Sequence, residues 1–325
     1  MINVGIVGGS GYTAGELIRL LLVHPKTKID FVFSTSRAGK PVTSVHQDLL
    51  GDTNLEFSSE INPNVDVLFL CTGHGNSTKI LQDFTVSPGT KIIDLSRDFR
   101  LADNNSFGNR KFIYGLPELQ KSAISDADNI ANPGCFATAI QLALLPAAHI
   151  SALENGIHIH GITGSTGAGS SLRDTTHFSW RDNNVSIYKA LDHQHVGEVT
   201  QSLTQLFPDY NSELNFVPVR GNFSRGIFIS AYTESDLSLE QAQSLYEEFY
   251  ADAPFVHLSE EPLHLKQVVN TNKCLLHLQK ENGKLLVTCI IDNLLKGASG
   301  QALQNMNLMF KLDEKTALQL KATHF

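Results

Sequence analysis

Cysteine is scarce in this chain of 325 residues: Cys71, Cys135, Cys274 and Cys289 are the full set, and no two stand at CxxC spacing. That spacing excludes dithiol redox motifs and the common zinc patterns, so no metal site is expected. Isolated free thiols suit a cytoplasmic protein rather than a disulfide-stapled one. Long hydrophobic runs are missing as well. None approaches the roughly 18 apolar residues of a membrane helix, so no membrane partner is expected. The opening Met1-Ile-Asn-Val-Gly-Ile-Val-Gly8 lacks the basic region, apolar stretch and cleavage site of a signal peptide. There is no basic stripe: lysines and arginines are scattered through a chain of net charge −8, which argues against nucleic acid as a partner. Repeats and low-complexity tracts are absent, which excludes a solenoid.

What remains is an ordinary globular composition. Apolar residues make up 42% and charged residues 18%, which excludes a disordered or fibrous chain. The length predicts about two domains. Apolar runs at Ile2–Val7, Ile29–Phe33, Val65–Cys71 and Lys91–Leu95 read as strands. Between them lie helical patterns, one after the glycines near residue 10 and one over Asn76–Phe84. Thr13 followed by Glu16 reads as a capping box for the first helix. Strands alternating with helices predict an α/β, Rossmann-like domain with a parallel sheet. After Pro133 the rhythm changes. A long helix starts near Phe136, and strands follow at Ile157–Thr163, Leu214–Val219, Gly226–Thr233, Lys273–Gln279 and Leu285–Ile291. Asn282-Gly283 signals a hairpin between the last two. Ser238 and Gln241 form a second capping box, opening a helix to about Tyr250. The second half therefore reads as an α+β domain with a mainly antiparallel sheet. The stretch from about Leu294 to Leu312 is helical in character and is expected to return to the first domain.

Two segments carry chemistry. Gly8-Gly-Ser10-Gly11-Tyr12-Thr13 links a buried strand to a helix, where glycines let the backbone approach a pyrophosphate at the helix N-terminus. The spacing is not the usual GxGxxG, and a plain tight turn is the alternative. The second strand ends in Ser34-Thr-Ser36-Arg37 rather than in an acidic residue. Hydroxyls with Arg37, and Lys40 nearby, suit a ribose 2′-phosphate, so NADP(H) is favoured over NAD, the alternative being a solvated basic loop. The second segment is Asn132-Pro-Gly-Cys135. Pro133 and Gly134 break the chain and a helix follows at once, so the Cys135 thiol meets the positive end of the helix dipole, which favours the thiolate. The other three cysteines sit in strands and read as structural.

Taken together, several motifs resemble the N-acetyl-gamma-glutamyl-phosphate reductases, arginine-biosynthetic relatives of the aspartate-semialdehyde dehydrogenases. They are Gly8–Thr13 with Glu16-Leu17, Thr35-Ser-Arg37, Leu95-Ser-Arg-Asp-Phe-Arg-Leu101, Tyr114-Gly-Leu-Pro-Glu118, Asn132–Cys135, Gly164-Ser-Thr-Gly-Ala-Gly169, His193-Gln-His195 with Glu198, and Asp292–Gln301. The resemblance implies Cys135 as nucleophile, His195 as general acid–base with His193 as the rival, and Glu198 as the orienting carboxylate. It implies a cofactor site of Gly8, Ser10, Gly11, Tyr12, Thr13, Ser36, Arg37, Gly167, Asn293 and Gly297. It implies substrate contacts from Ser96, Arg97, Arg100, Asn132 and His193. There are departures: Gln194 stands for the family's usual Arg, Val196-Gly197 replaces its proline, Ser170-Ser-Leu-Arg173 lacks an earlier basic residue, and Cys71-Thr-Gly-His-Gly75 replaces an apolar-proline run.

The implied reaction is NADPH-dependent reduction of an acyl phosphate, a small-molecule substrate, through a Cys135 thioester. The alternatives are an enzyme closer to aspartate-semialdehyde dehydrogenase and a non-catalytic NADP-binding regulator. The domain expectation is 1–134 plus 300–325 for the cofactor and 135–299 for catalysis and assembly. The resemblance further implies a homodimer or homotetramer.

Overall fold

A computed structural model describes residues 1–324. The chain divides into two units, Met1–Pro133 with Ala298–Gln319, and Gly134–Gly297 with the chain from Leu320.

The first unit is built on a seven-stranded, all-parallel sheet. In chain order its elements are β1 (Ile2–Val7), α1 (Tyr12–Leu22), β2 (Thr27–Phe33), β3 (Phe57–Ser58), β4 (Val67–Leu70), α2 (Asn76–Asp83) and β5 (Lys91–Asp94). A small hairpin, β6 (Ser106–Phe107) and β7 (Arg110–Lys111), precedes β8 (Ile113–Tyr114), α3 (Pro117–Ser125) and β9 (Asn129–Ala131). The strand order is β3-β2-β1-β4-β5-β9-β8. The direction of winding reverses between β1 and β4, the kind of switch point whose carboxyl end binds ligands in open α/β sheets. All four residues of β4 are buried, as a strand covered on both faces requires.

The capping box expected at Thr13 does not form. α1 begins at Tyr12 with Gly11 as its N-cap and no side-chain cap, so Thr13 already lies inside the helix. Glu16 instead pairs with Arg19 at 2.6 Å.

The second unit begins with α4 (Cys135–His149) and continues through β10 (Ile157–Thr163), α5 (Phe178–Arg181), β11 (Ser186–Ile187), α6 (His195–Leu206), β12 (Leu214–Arg220) and β13 (Ile227–Glu234). It closes with α7 (Leu239–Phe249), β14 (Val256–Leu258), β15 (Cys274–Glu281) and β16 (Lys284–Ile291). The sheet order is β11-β12-β10-β13-β16-β15-β14. Its pairings are antiparallel except β10 with β12 and β14 with β15. The β15–β16 hairpin turns on Asn282 and Gly283, both at positive φ (48° and 74°), as a type I′ turn needs. The Ser238–Gln241 capping box is formed, with Ser238 N donating to Gln241 Oε1 at 2.8 Å and Gln241 N to Ser238 Oγ at 3.2 Å.

α4 is buried along nearly its whole length. It contains Pro146, which has no N–H for the carbonyl of Leu142 one turn back. Tyr250 supplies the missing donor: its hydroxyl donates to Leu142 O at 2.7 Å. Tyr246 donates likewise to Ala143 O at 2.6 Å.

Beyond β16 the chain makes a π-turn over Leu295–Ser299 and then α8 (Gly300–Met309), which packs on α1 and α3 of the first unit. All residues of α8 are buried, and Gln304, Asn305 and Asn307 donate hydrogen bonds from their side chains within the first unit. Asn305 donates to Gly115 O at 2.9 Å and to Asn132 Oδ1 at 3.1 Å, and Gln304 donates to Glu314 at 2.9 Å. The last residues do not follow α8. Thr323 N donates to Val269 O at 3.2 Å, within the second unit.

Candidate active site

Cys135 is the first residue of α4, after Gly134 as an extended N-cap. It is partly exposed, whereas Cys71, Cys274 and Cys289 are buried. Burial pushes the Cys71 thiol up to about 12, far from a reactive thiolate. Cys274 and Cys289 face each other on β15 and β16, Sγ to Sγ 3.4 Å, as free thiols.

α6 begins at His195, and Glu198 stands one turn on, on the same face. The Glu198 carboxylate reaches both elements of the site. One oxygen accepts the Gly134 N–H at 2.9 Å, and the other lies 4.0 Å from His195 Nε2. A single buried carboxylate therefore joins the turn that carries the thiol to the imidazole.

His193 has a different setting. Its Nδ1 accepts the His195 N–H at 3.2 Å, which leaves the neutral ring its proton on Nε2. The rings of Phe136, Tyr188 and Phe216 lie 5.3 to 5.7 Å away. Burial, then the charges of Lys189 and Arg220, hold its pKa down at about 4. A base that weak is poorly matched to proton transfer near pH 7.

Gly297 meets the nucleophile directly. A Cβ there would lie 2.8 Å from Cys135 Cβ and 3.2 Å from Cys135 Cα. The resemblance implies Gly297 in the cofactor site, and the space its missing side chain leaves is bounded by Cys135. Asn293 is buried and bonded to protein on both sides of its amide. Its Oδ1 accepts the Gly226 N–H at 2.7 Å and its Nδ2 donates to Thr166 Oγ1 at 3.0 Å. Gly167 is exposed in the adjacent turn, where a Cβ would come within 3.2 Å of Thr163 Oγ1.

The remaining predicted residues lie in the first unit. Gly8 has φ +83°, and a Cβ would fall 2.6 Å from the Cys71 carbonyl oxygen, so only glycine fits beneath the turn. At Gly11 a Cβ would meet nothing nearer than 3.7 Å, leaving an open cradle over the uncapped N-terminus of α1 with Ser10, Tyr12 and Thr13. Ser36, Arg37 and Lys40 are exposed just past β2, and no acidic residue stands among them. A helix N-terminus with open amides and a basic, hydroxyl-bearing loop beyond β2 fit the phosphates of NADP(H).

Two predicted substrate contacts are occupied otherwise. Ser96 is fully buried, its hydroxyl donating to Asp94 at 2.8 Å. Arg100 is also buried, with Nε donating to Asn132 O at 2.8 Å and Nη2 to Leu95 O at 3.0 Å. Arg100 thus ties down the backbone just before Cys135. Asn132 is part of the same framework, donating from its side chain to Ala298 O at 3.2 Å and from its N–H to Asp94 O at 2.8 Å. Arg97 is exposed.

The sequence reading passed over four supports. Asp94, at the buried end of β5, accepts from Ser77 at 2.5 Å as well as from Ser96, and burial raises its pKa to about 6. His46 donates from Nε2 to Gly9 O at 2.7 Å, and its ring fills the space a side chain on Gly15 would need. Asp292 and Arg225 pair at 3.0 and 3.2 Å, and Asp292 also accepts the Leu294 and Leu295 N–H groups. Arg220 lies over the Tyr188 ring. The only local signal was a charged residue ending an apolar run, at Asp94 and Asp292. Among the described residues no cluster of three or more His, Cys, Asp or Glu could hold a metal ion, and no helix is long and apolar enough to cross a membrane.

Two family models match the chain: the semialdehyde dehydrogenase NAD-binding domain over residues 3–127 and the semialdehyde dehydrogenase dimerisation domain over residues 135–293. Full-length relatives carry the name N-acetyl-gamma-glutamyl-phosphate reductase. The one from Christiangramia forsetii is 59% identical over 325 residues, covering 100% of both chains. That from Flavobacterium johnsoniae is 58% identical and that from Bacteroides thetaiotaomicron 53%, again over 100% of both chains. Among solved structures, aspartate semialdehyde dehydrogenase II from Vibrio cholerae superposes with a TM-score of 0.74 at 18% identity, covering 96% of this chain and 99% of that one. This last likeness speaks to the fold alone.

Proposed function

The chain belongs to the N-acetyl-gamma-glutamyl-phosphate reductase family, and on that premise we propose that it reduces an N-acyl-L-glutamyl 5-phosphate to the N-acyl-L-glutamate 5-semialdehyde and phosphate, in arginine biosynthesis. The observation that carries this reading is the Glu198 carboxylate held between the Gly134 N–H and His195, at the start of the Cys135 helix.

Cys135 acts as nucleophile. Its thiolate attacks the acyl-phosphate carbon, the C–O bond to phosphate breaks, and an acyl thioester on Cys135 remains. Splitting the reduction this way replaces one hard step with two easier ones. When bound, NADPH supplies the hydride that takes the acyl group to the aldehyde level. His195 holds the proton taken from the thiol and returns it at the end, and Glu198 orients the ring and balances its charge. His193 frames His195 as a neutral neighbour and can donate only from Nε2. The first unit holds NADP(H) through the Gly8–Thr13 turn and the Ser36–Arg37 loop. The second unit carries catalysis and, through the domain that matches the dimerisation model, assembly into a homodimer or homotetramer. A mechanism that needs a free thiol suits a reducing, cytoplasmic setting.

The test is the reverse reaction: phosphate-dependent reduction of NADP with N-acetyl- and N-succinyl-glutamate semialdehyde, with aspartate semialdehyde and NAD as controls. Turnover on an N-acyl substrate is expected, and Cys135→Ser abolishes it while NADPH binding is kept. Activity confined to aspartate semialdehyde would overturn the substrate assignment, and substantial turnover by the Ser variant would overturn the thioester route.

A further inference from the structure

Three cations gather beside the histidines of the second unit. Arg220 ends β12, and its guanidinium lies 3.9 Å above the centre of the Tyr188 ring. Arg181 is fixed next to it, Nη2 donating to Gly221 O at 2.7 Å. Lys189 donates to Gln194 Oε1 at 3.1 Å, immediately before His195. The segment carrying Tyr188 and Lys189 is tied to β12 by backbone bonds, Tyr188 N to Pro218 O at 3.1 Å and Leu191 N to Phe216 O at 2.9 Å. Tyr188 in turn packs edge-on against His193 at 5.7 Å, and His193 lies 4.7 Å from His195. Two rings, Tyr188 and His193, thus link Arg220 to the His195 imidazole.

Among the described residues none of the three cations pairs with a carboxylate. Arg181 and Arg220 are both half-buried, and each positive charge disfavours the other, as the lowered pKa of Arg181 reflects after its burial. Holding like charges together in a partly desolvated place is unfavourable unless an anion joins them. A guanidinium held over an aromatic ring is fixed in place while its planar fork of N–H donors can still meet a carboxylate bidentately.

We propose that Arg220, held on Tyr188 and flanked by Arg181 and Lys189, is a specificity-determining residue that binds a carboxylate of the substrate. This rests on the reaction proposed above. The carboxylate has two sources in such substrates, the α-carboxylate of the glutamyl group or the far carboxylate of a dicarboxylic acyl group.

The experiment compares wild type, Arg220→Met and Arg220→Lys on N-acetyl- and N-succinyl-glutamate semialdehyde. In parallel, calorimetry measures binding of N-acetyl-L-glutamate and N-succinyl-L-glutamate. Loss of charge-assisted hydrogen bonds predicts a fall of about 10- to 100-fold in kcat/KM and in affinity for the Met variant, carried mainly by KM. An equal fall for both acyl groups assigns the α-carboxylate, and a fall confined to the succinyl compounds assigns the acyl carboxylate. If Arg220→Met does not fold, Arg220→Lys carries the test, with an intermediate loss expected because lysine keeps charge but not the planar fork. Changes within twofold for every compound overturn the proposal. Because calorimetry needs no turnover, a failed reaction assay with a clear Arg220 effect on binding would overturn the reaction and not the site.

Discussion

Replacing Gly297 by alanine isolates the packing of the nucleophile from its chemistry. The new Cβ would stand 2.8 Å from Cys135 Cβ and 3.2 Å from Cys135 Cα. Carbon atoms in ordinary contact sit about 3.5–4.0 Å apart, so the two segments must part by roughly 0.7–1.2 Å. α4 cannot yield as a whole, since it is buried along nearly its full length. The displacement therefore falls on the Gly134–Cys135 turn and on its bond to Glu198. Misplacement of a reacting group by about 1 Å costs on the order of 100-fold in rate. Gly297 does not have positive φ, so alanine introduces no backbone strain, and alanine is the better helix former by about 1 kcal/mol. The expected result is a kcat lowered by about two orders of magnitude with NADPH affinity little changed and a thermal midpoint lowered by over-packing that costs about 1–3 kcal/mol. Measured by phosphate-dependent NADP reduction, fluorescence titration and a melting curve, a kcat within threefold of wild type would refute the reasoning.

Three further outcomes follow from particular contacts. Glu198→Gln keeps an acceptor for Gly134 N–H but loses the charge beside His195, so kcat falls about 10- to 100-fold, and Glu198→Ala, which also frees the turn, falls further; equal activity of the two variants would show that the charge alone matters, and a Gln variant as active as wild type would show that only the hydrogen bond does. Tyr250→Phe leaves the Leu142 carbonyl, already deprived of a partner by Pro146, without its donor, and should cost about 1–3 kcal/mol in denaturant unfolding with kcat/KM nearly unchanged. The His193 pKa is lowered in the fold from 6.5 to about 4, so the neutral ring stabilises the fold above pH 6.5, and that contribution is lost as pH falls from 6.5 towards 4; in His193→Gln the slope of stability against pH in this window should flatten, and an unchanged slope would place the titration elsewhere.

Regular elements with a strong period were legible from sequence. β1, its glycine turn and α1 were read from one apolar run and a leucine pattern, and the β15–β16 hairpin from Asn282-Gly283. Strands of two or three residues, such as β3, β8, β11 and β14, were not, because so short a run has no period and exists only through its neighbours. The same limit applied to the site. Cys135 was marked by a local break before a helix. The pairing of Arg225 with Asp292, the seat of His46 under Gly9 and the stack of Arg220 on Tyr188 join residues remote in the chain, with nothing local to announce them. Ser96 and Arg100 are legible only through the resemblance, and a motif alone does not say which way a polar group turns. Both turn inward, onto Asp94 and the Asn132 backbone. The Thr13–Glu16 pair failed as a cap for a related reason: the glycine turn starts the helix earlier, and Gly11 takes the capping position.

The segment after β16 shows how a backbone irregularity places a glycine against the nucleophile. In a regular α-helix each N–H bonds to the carbonyl four residues back. Gly297 N instead bonds to Asp292 O, five residues back, at 2.9 Å, the mark of a π-turn. One added residue rotates everything beyond it by roughly 100° about the helix axis relative to α-helical continuation. With an α-helical bond, a different residue would take the place that Gly297 holds, and its side chain would meet Cys135. The turn is held in this form from its first residue. Asp292 accepts Leu294 N–H and Leu295 N–H with one oxygen, while its other oxygen accepts from Arg225 Nε and Asn270 N–H. Arg225 precedes Gly226, whose N–H is taken by Asn293. The buried ion pair thus fixes a backbone irregularity, and the irregularity clears the space in which the nucleophile sits. Buried charge of this kind adds little net stability compared with apolar packing. Its value here is geometric, because no apolar residue at position 292 could accept these hydrogen bonds, five with that from Arg225 Nη2, and hold Gly297 against Cys135.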